Sequence, residues 1–418
     1  VENVFEAKDM GSASSITVDS NSITFRATPS VNSDGNLDIW MEKIPYQDFT
    51  AGIWYDGLAK SLDASYVRDD ILEGQTQEAL KLYDKLDLIT DVNTLKNTFE
   101  NISGEIYSNT LQIEKDIEGT FINALDVLKN SENNTKENVK INIIAGKGNS
   151  KEDTDGVMSY DYDTMGVLAL REVERTYRHK FGYSAGYLRT DFQFDNTNSE
   201  DTADTLQLGL HNKYSVDGWN FKNDLLGRVS FHNVNREIEW SGWNNSNLDT
   251  EYMAYGVTLL NEVTKDLEAG KNLKIKPYAG LELGYTLHSD FEENGGPERL
   301  KAEANDSYSV RPNAGVRFEV VKDFGVNSDW TTKMSLDFGY EYELGEMNNP
   351  EKVSLTALGQ DNYYNLAKPA EDKGRFKVSG IAGIDLKERY GVYITGEYGK
   401  GEKNQSDYKL GLSLKAEF

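Results

Sequence analysis

The sequence predicts an all-β transmembrane barrel of 12 antiparallel strands, preceded by an α-helical segment and a short β-rich zone. Three observations predict it. Apolar and polar residues alternate with a period of two from about residue 138 to the end. The alternating segments reach or exceed the roughly 9–11 residues that a tilted strand needs to cross a bilayer. The connections between them are long and short by turns.

The N-terminal zone, residues 1–57, is turn-rich and alternating, as in Ser15-Ile16-Thr17-Val18, Ser22-Ile23-Thr24-Phe25 and Asn36-Leu37-Asp38-Ile39-Trp40. These read as short strands. Residues 58–134 form a helical linker region, in which the period is helical from about 58 to 130. Leu80, Tyr83, Leu86 and Ile89 recur at three, Leu95, Phe99, Ile102 and Ile106 at three to four, then Ile113, Ile117, Phe121, Leu125 and Leu128. Such spacing places the apolar residues on one helix face. Gly74 and Ser103-Gly104 are candidate breaks. The last helix is expected to end near Asn130, where Asn130-Ser131-Glu132-Asn133-Asn134-Thr135 forms a polar linker.

Residues 135–418 carry twelve alternating segments, near 138–147, 157–170, 176–193, 203–216, 219–233, 250–264, 271–288, 306–322, 330–344, 374–387, 390–400 and 406–418. The final one sets Tyr408, Leu410, Leu412, Leu414, Ala416 and Phe418 against Lys409, Gly411, Ser413, Lys415 and Glu417. Strands of soluble proteins usually run to about 5–6 residues, so a lipocalin-like barrel or a sandwich fits these lengths poorly. Long connections follow the odd-numbered strands and short ones, such as Val216-Asp217-Gly218 and Glu388-Arg389, follow the even-numbered strands. That habit belongs to bacterial outer-membrane barrels, and an even strand count returns both ends to one side.

Composition agrees. Mean hydropathy is −0.62, and no stretch approaches the roughly 18 apolar residues of a transmembrane helix. A barrel shows lipid with every second residue only. The 24 Tyr, 6 Trp and 36 Gly suit interfacial girdles and close strand packing. The chain opens at Val1 without a leader, as expected of a mature or excised piece. With no Cys, a disulfide framework and a thiolate metal site are excluded. A net charge of −26 argues against nucleic acid as a partner.

By parity, Arg178, Arg228, Arg311, Arg317 and Arg375 face the lumen with Lys180, Lys222, Lys274, Lys276, Lys333, Lys377 and Lys409. Asp224, Glu282, Asp337, Glu341 and Asp385 share that face, so the interior is expected to be net basic. The helix upstream carries Glu105, Glu114, Asp116 and Glu118. An acidic helix threaded through a basic lumen would be electrostatically matched; the alternative is an open, anion-selecting channel.

The chain resembles the C-terminal region of classical monomeric autotransporters of type V secretion. Ile102-Ser103-Gly104-Glu105-Ile106-Tyr107-Ser108 is similar to a family motif that lies shortly before the first barrel strand. Asn36 to Lys43, through Tyr46 to Phe49, is similar to the strand that closes many passengers, although Met41-Glu42-Lys43 departs from the usual form. Lys276-Pro277-Tyr278-Ala279-Gly280-Leu281 resembles a recurrent barrel strand. A terminal Phe418 preceded by alternating apolar residues is similar to the signal read by the barrel assembly machinery.

The resemblance implies an outer-membrane translocator of about 280 residues that brings an N-terminal passenger, an adhesin or other virulence factor, to the cell surface and keeps a helix in its pore. Ser103, Gly104, Glu105, Ile106 and Tyr107 would belong to that plug helix, and residues 1–57 would end a β-helical passenger stem. Outer-membrane lipid, the assembly machinery, periplasmic chaperones and the passenger are the implied partners of a monomer without cofactors. Some members of the family cleave between two Asn in the pore; Asn133-Asn134 stands between helix and first strand, but its neighbours do not match that subgroup and a flexible polar linker is the favoured role.

Catalysis finds little in the sequence. His179, His211, His232 and His288 are scattered and have no metal-ligand spacing. A lipase-like barrel needs a Ser–His pair; Ser230 and His232 share the lumen face but sit two strand residues, roughly 7 Å, apart. A passive channel and, further off, a barrel hydrolase are the alternatives to a translocator.

Overall fold

The computed structural model describes residues 16–66, 77–129, 137–240, 244–323, 329–359, 362–370, 372–387, 389–403 and 405–418. Gly74, Asn133 and Asn134 lie outside them.

Alternation that continues for more than ten residues can bury only one face of each strand, so the sheet closes on itself. The barrel strands are β3 (Glu137–Lys151), β4 (Tyr160–Thr176), β5 (His179–Phe194), β6 (Glu200–Val216), β7 (Trp219–Ile238) and β8 (Ser246–Lys265). They continue with β9 (Leu273–His288), β10 (Asn305–Asp323), β11 (Trp330–Tyr342), β12 (Gly374–Leu386), β13 (Tyr390–Gly401) and β14 (Ser406–Glu417). Each pairs antiparallel with the next, and β14 pairs with β3 from Ser406↔Lys151 to Glu417↔Lys140, which closes the ring. All twelve segments read from the alternation occur, with ends shifted by a few residues.

The apolar parity faces outward. Leu410, Leu412 and Leu414 are 51%, 46% and 45% exposed, while Ser413 and Lys415 on the other face are buried. Closure removes sheet edges, and lipid satisfies the outward side chains. Short turns gather at the end that holds Glu137 and Phe418. In the Asp217-Gly218 turn both residues take positive φ, 48° and 75°, the conformation that joins two twisted strands with two residues.

One site expectation fails here. Arg178 is not in the lumen, because β4 and β5 are joined at Tyr177-Arg178 and the parity of β5 begins only at His179. Arg178 is exposed in that turn, with its guanidinium 5.0 Å from the Tyr177 ring centre.

The opposite, long-loop end is capped by packed structure. Hairpin β1 (Phe25–Val31)–β2 (Leu37–Lys43) precedes helices α1 (Asp56–Ser65), α2 (Gln77–Asp87) and α3 (Val92–Ile102) and is tied to α2. Ile16 to Thr24 forms no strand, so only part of the expected N-terminal β pattern is realised. Lys43 joins hairpin to helices. Its Nζ lies 3.5 Å from the Tyr46 ring centre and 3.1 Å from Asp87, whose carboxylate also accepts hydrogen bonds from Thr24, Tyr46 and Tyr66. Tyr46, Leu58, Leu62, Leu82, Leu86, Leu95, Phe99 and Ile102 are buried beneath it. The loops expected to be polar connections contribute a four-stranded sheet of Phe291–Glu292, Leu300–Ala302, Lys352–Leu355 and Tyr364–Asn365. Its buried Leu300, Val353 and Leu355 join the same core.

The occupied lumen as candidate functional site

Among the described residues, only the last helix enters the barrel. α4 (Thr110–Lys129) has 20 residues, a length of roughly 30 Å at 1.5 Å per residue, which matches the hydrocarbon thickness. It runs from the long-loop end, where Thr110 donates to Glu351 at 2.6 Å, to the short-turn end, where Lys129 meets Asp224 at 2.5 Å.

The motif taken from the family for the plug helix sits above it. Ser103 ends α3, its N–H and hydroxyl both donating to the Glu100 carbonyl. Gly104 takes φ 90°, and a Cβ there would collide with Leu300. Glu105–Asn109 form a 3-10 turn that leads into α4. Ser103 to Tyr107 thus make an elbow at the mouth and do not themselves thread the lumen. A chain that must turn from the cap into the pore needs a left-handed residue, and glycine takes that conformation without a steric cost. Tyr107 donates to Glu293 at 2.6 Å, and Arg236 forms a two-pronged pair with the same carboxylate, both contacts at 2.7 Å. Burial, then the neighbouring Glu100, pushes the Glu105 carboxyl up to about 7.

One face of α4 is apolar. Ile117, Phe121, Leu125 and Leu128 are buried in one cluster with Leu168, Leu170 and Leu188 of β4 and β5. Gly186 gives Phe121 its room, since a Cβ there would lie 2.8 Å from the ring.

The acidic residues of α4 meet bases on the wall, as the matched-charge expectation requires. Arg228 contacts Glu114 at 3.0 Å and Glu118 at 3.1 Å; Lys409 contacts Asp116 at 3.3 Å, where the Tyr160 hydroxyl also donates. Wall donors also cap α4 carbonyls: Lys140 reaches Leu128 O at 2.9 Å and Asn142 reaches Ala124 O at 3.0 Å. Buried charges of this kind are tolerated because each has a partner and hydrogen bonds.

The expectation of a net basic interior does not hold. Arg311 pairs with Glu282 at 2.7 Å, Arg317 with Asp337 at 2.9 Å and Glu262 at 3.2 Å, and Arg375 with Glu341 at 2.8 Å and Asp407 at 2.5 Å. Lys377 meets Glu397, and Lys276 meets Glu319. Glu262, Glu319, Glu397 and Asp407 were missed by the sequence reading, although the same two-residue parity carries them. Arg236, fully buried, lies eight positions beyond Arg228 on the same face of β7 and was findable in that way.

His232 is bridged by two carboxylates, Nδ1 to Asp201 at 2.8 Å and Nε2 to Glu114 at 3.0 Å, with its ring stacked on Tyr252. Ser230 instead bonds Thr205 at 2.9 Å. With both ring nitrogens held, this arrangement clamps the helix and offers no activated hydroxyl. His288 and His211 are similarly engaged, with Glu351 at 3.0 Å and Asp224 at 3.0 Å.

Residues 139–397 match the family described as the autotransporter β-domain, and residues 1–45 match that described as the BigA β-sandwich domain. BigA of Salmonella typhimurium, described provisionally as a surface-exposed virulence protein, is 23% identical over 350 residues. The match covers 81% of this chain but only 16% of BigA. The translocator domain of NalP from Neisseria meningitidis superposes with a TM-score of 0.56 at 11% identity, covering 75% of this chain and 99% of that one. The transport unit of AIDA-I from Escherichia coli gives 0.43 at 11% identity, covering 76% and 99%. The chain belongs to the autotransporter β-domain family, and its 12-stranded ring is an outer-membrane translocator barrel.

Proposed function

We propose that this barrel exports and displays a passenger attached ahead of α4, and that the chain is retained as a monomer with α4 in the pore. One observation carries the reading. α4 enters at the long-loop end and β3 starts at the short-turn end, so the described residues before Thr110 lie on the side opposite both barrel termini. With short turns in the periplasm, the cap and hairpin stand at the cell surface.

Residues 1–57 are then the end of the passenger. The match of 1–45 to a β-sandwich family favours a sandwich over the β-helical stem expected from the resemblance. Residues 58–134 form the surface cap and the pore helix, and 135–418 the barrel. An adhesive or virulence role for the passenger is supported by the description of BigA. Outward-facing Tyr408, Leu410, Leu412, Leu414 and Ala416 are followed by Phe418, 72% exposed. That edge, where Phe418 N–H donates to Val139 O at 2.9 Å, is the segment proposed for recognition by the assembly machinery, with periplasmic chaperones escorting the chain to it. Catalysis is assigned to no residue, and no cofactor is required.

The test is surface exposure in intact cells producing the full-length protein. An epitope placed in the β1–β2 turn, at Asp34-Gly35, should be reached by antibody and by external protease without permeabilisation. Detection only after the outer membrane is broken would overturn the reading.

A further inference from the structure

We infer that the barrel wall holds an anionic phospholipid at the short-turn rim, on the outer face of β4–β8, its phosphate on Arg175, Arg178 and Lys265 and its ester carbonyls on a row of asparagines. The site is read from the barrel surface; only its assignment to the periplasmic leaflet rests on the proposed orientation.

The apolar belt is broken here. Three lipid-facing levels follow one another on β6, β7 and β8 toward the short turns. The first sets Leu210, Leu225 and Leu259 side by side, and the third sets Tyr214, Phe221 and Val263. Between them stand Asn212, Asn223 and Asn261. Same-face levels are roughly 6.6 Å apart along a strand, so the amides lie deeper than aromatic side chains that mark a membrane interface.

These amides form a ladder. Asn212 Nδ2 donates to Asn223 Oδ1 at 3.3 Å, Asn223 Nδ2 to Asn261 Oδ1 at 2.8 Å and Asn261 Nδ2 to the Leu281 carbonyl at 3.4 Å. His179 Nε2 closes the other end on Asn212 Oδ1 at 2.6 Å. An amide nitrogen carries two N–H groups, and the ladder uses one of each. Acyl chains offer the second no acceptor, and an amide left without one is costly.

Bases gather on the turn side of the ladder. Arg178 sits in the β4–β5 turn, where its carbonyl accepts from the Ser215 N–H of β6 at 2.7 Å. Arg175 is exposed, 5.8 Å from the Phe181 ring centre. Lys265 lies 5.0 Å from the Trp219 ring centre and donates to the Asp217 carbonyl at 2.7 Å. Among the described residues none of the three bases has a carboxylate partner, although Glu174 and Asp217 adjoin them in sequence. Arg171, deeper on β4, is by contrast paired with Glu137 at 3.1 Å.

A phosphodiester supplies the missing anion. In a bilayer the ester carbonyls lie on the acyl side of the phosphate, at the depth of the amides, and supply the missing acceptors. Three bases against two acids leave positive charge in excess, which favours an anionic headgroup over one that brings its own ammonium.

The full chain in neutral detergent, given equimolar dioleoyl phosphatidylglycerol and dioleoyl phosphatidylcholine, should retain the first over the second at least about fivefold in native mass spectra. R175Q/R178Q should bring that ratio to within about twofold while keeping heat-modifiable migration on gels. Should that pair fail to fold, R178Q alone should lower the ratio. K387Q/R389Q, which removes the same charge from another turn of the rim, should leave it unchanged. N223L should reduce retention of both lipids, because they share the ester carbonyls. Glycerol phosphate, which has the anion without acyl chains, should not displace bound lipid. Equal retention of the two lipids by the wild-type chain, a matching loss in K387Q/R389Q, or displacement by glycerol phosphate would each overturn the inference. Surface display of the hairpin should be unchanged in R175Q/R178Q; loss of display in the wild-type chain with this lipid preference intact counts against the translocator reading alone.

Discussion

Arg228 of β7 grips two successive turns of α4 at once, its Nε on Glu114 at 3.0 Å and its Nη1 on Glu118 at 3.1 Å. The two acids stand four residues apart, which is one helical turn, and so face the same wall position. This pair of contacts, with His232 on the other oxygen of Glu114, sets both the rotation and the depth of the helix.

Removing Arg228 leaves Glu118 without its base and Glu114 with His232 alone, and breaking a buried pair from one side costs about 3–5 kcal/mol. R228M should therefore lower the temperature at which the folded barrel loses its heat-modifiable migration on gels. It should also increase single-channel conductance by loosening α4. A triple variant that also carries E114Q and E118Q should recover part of the stability, since the uncompensated charges are gone.

Phe121 fills the space over Gly186. F121A should destabilise helix seating by about 3–5 kcal/mol, the usual cost of a large aromatic truncation in a packed core. G186L should act in the same direction by displacing the ring. Protection of α4 amides from hydrogen exchange reports both, and unchanged protection in either variant would contradict the packing described.

Arg236 is the largest side chain buried at the mouth, paired through two nitrogens to Glu293, which also accepts from Tyr107 and from the Leu300 N–H. R236A should open the loop sheet around Leu300 to external protease while leaving the barrel resistant, because the strands do not depend on that carboxylate. The expected loss is again about 3–5 kcal/mol, confined to the cap.

Glu105 gives the cap a pH dependence. Its carboxyl is pushed up to about 7 from an ordinary value of 4.5, first by burial and then by Glu100. A carboxyl whose pKa is higher folded than unfolded contributes fully below the unfolded value, and the contribution is lost as pH rises through about 7. Acidification from pH 8 to 5 should thus stabilise the cap by on the order of 1–2 kcal/mol, once solvent screening of a partly exposed group is allowed for, and so raise its thermal midpoint. E105Q should flatten that dependence and match the acid plateau; proteolysis of the cap across temperature and pH measures it.

The barrel was legible because its signal is local and redundant. Residues 406–418 state their two faces without reference to any partner, and β3 to β13 repeat the message. The helical period between Leu80 and Leu128 was equally plain. It could not distinguish helices that cover the mouth from the one that fills the lumen, since α2, α3 and α4 all carry an apolar stripe.

Lumen charge was misread where parity was followed incompletely. Arg317 meets Asp337 on the adjacent strand β11 and Glu262 on β8, two strands away, and neither contact can be read along β10 itself. The loop sheet from Phe291 to Asn365 has strands too short, two to four residues, to announce themselves.

The sequence by itself determined the strand number, the lipid-facing parity and the helical period of the segment that fills the pore, because periods of 2 and 3.6 are properties of a single segment. The tertiary structure alone decided that α4 enters the lumen off-centre, that the lumen charges are paired, and that the mouth is closed by a folded cap. Those facts depend on register between strands and on contacts such as Arg228–Glu114, 114 positions apart, which no local period encodes.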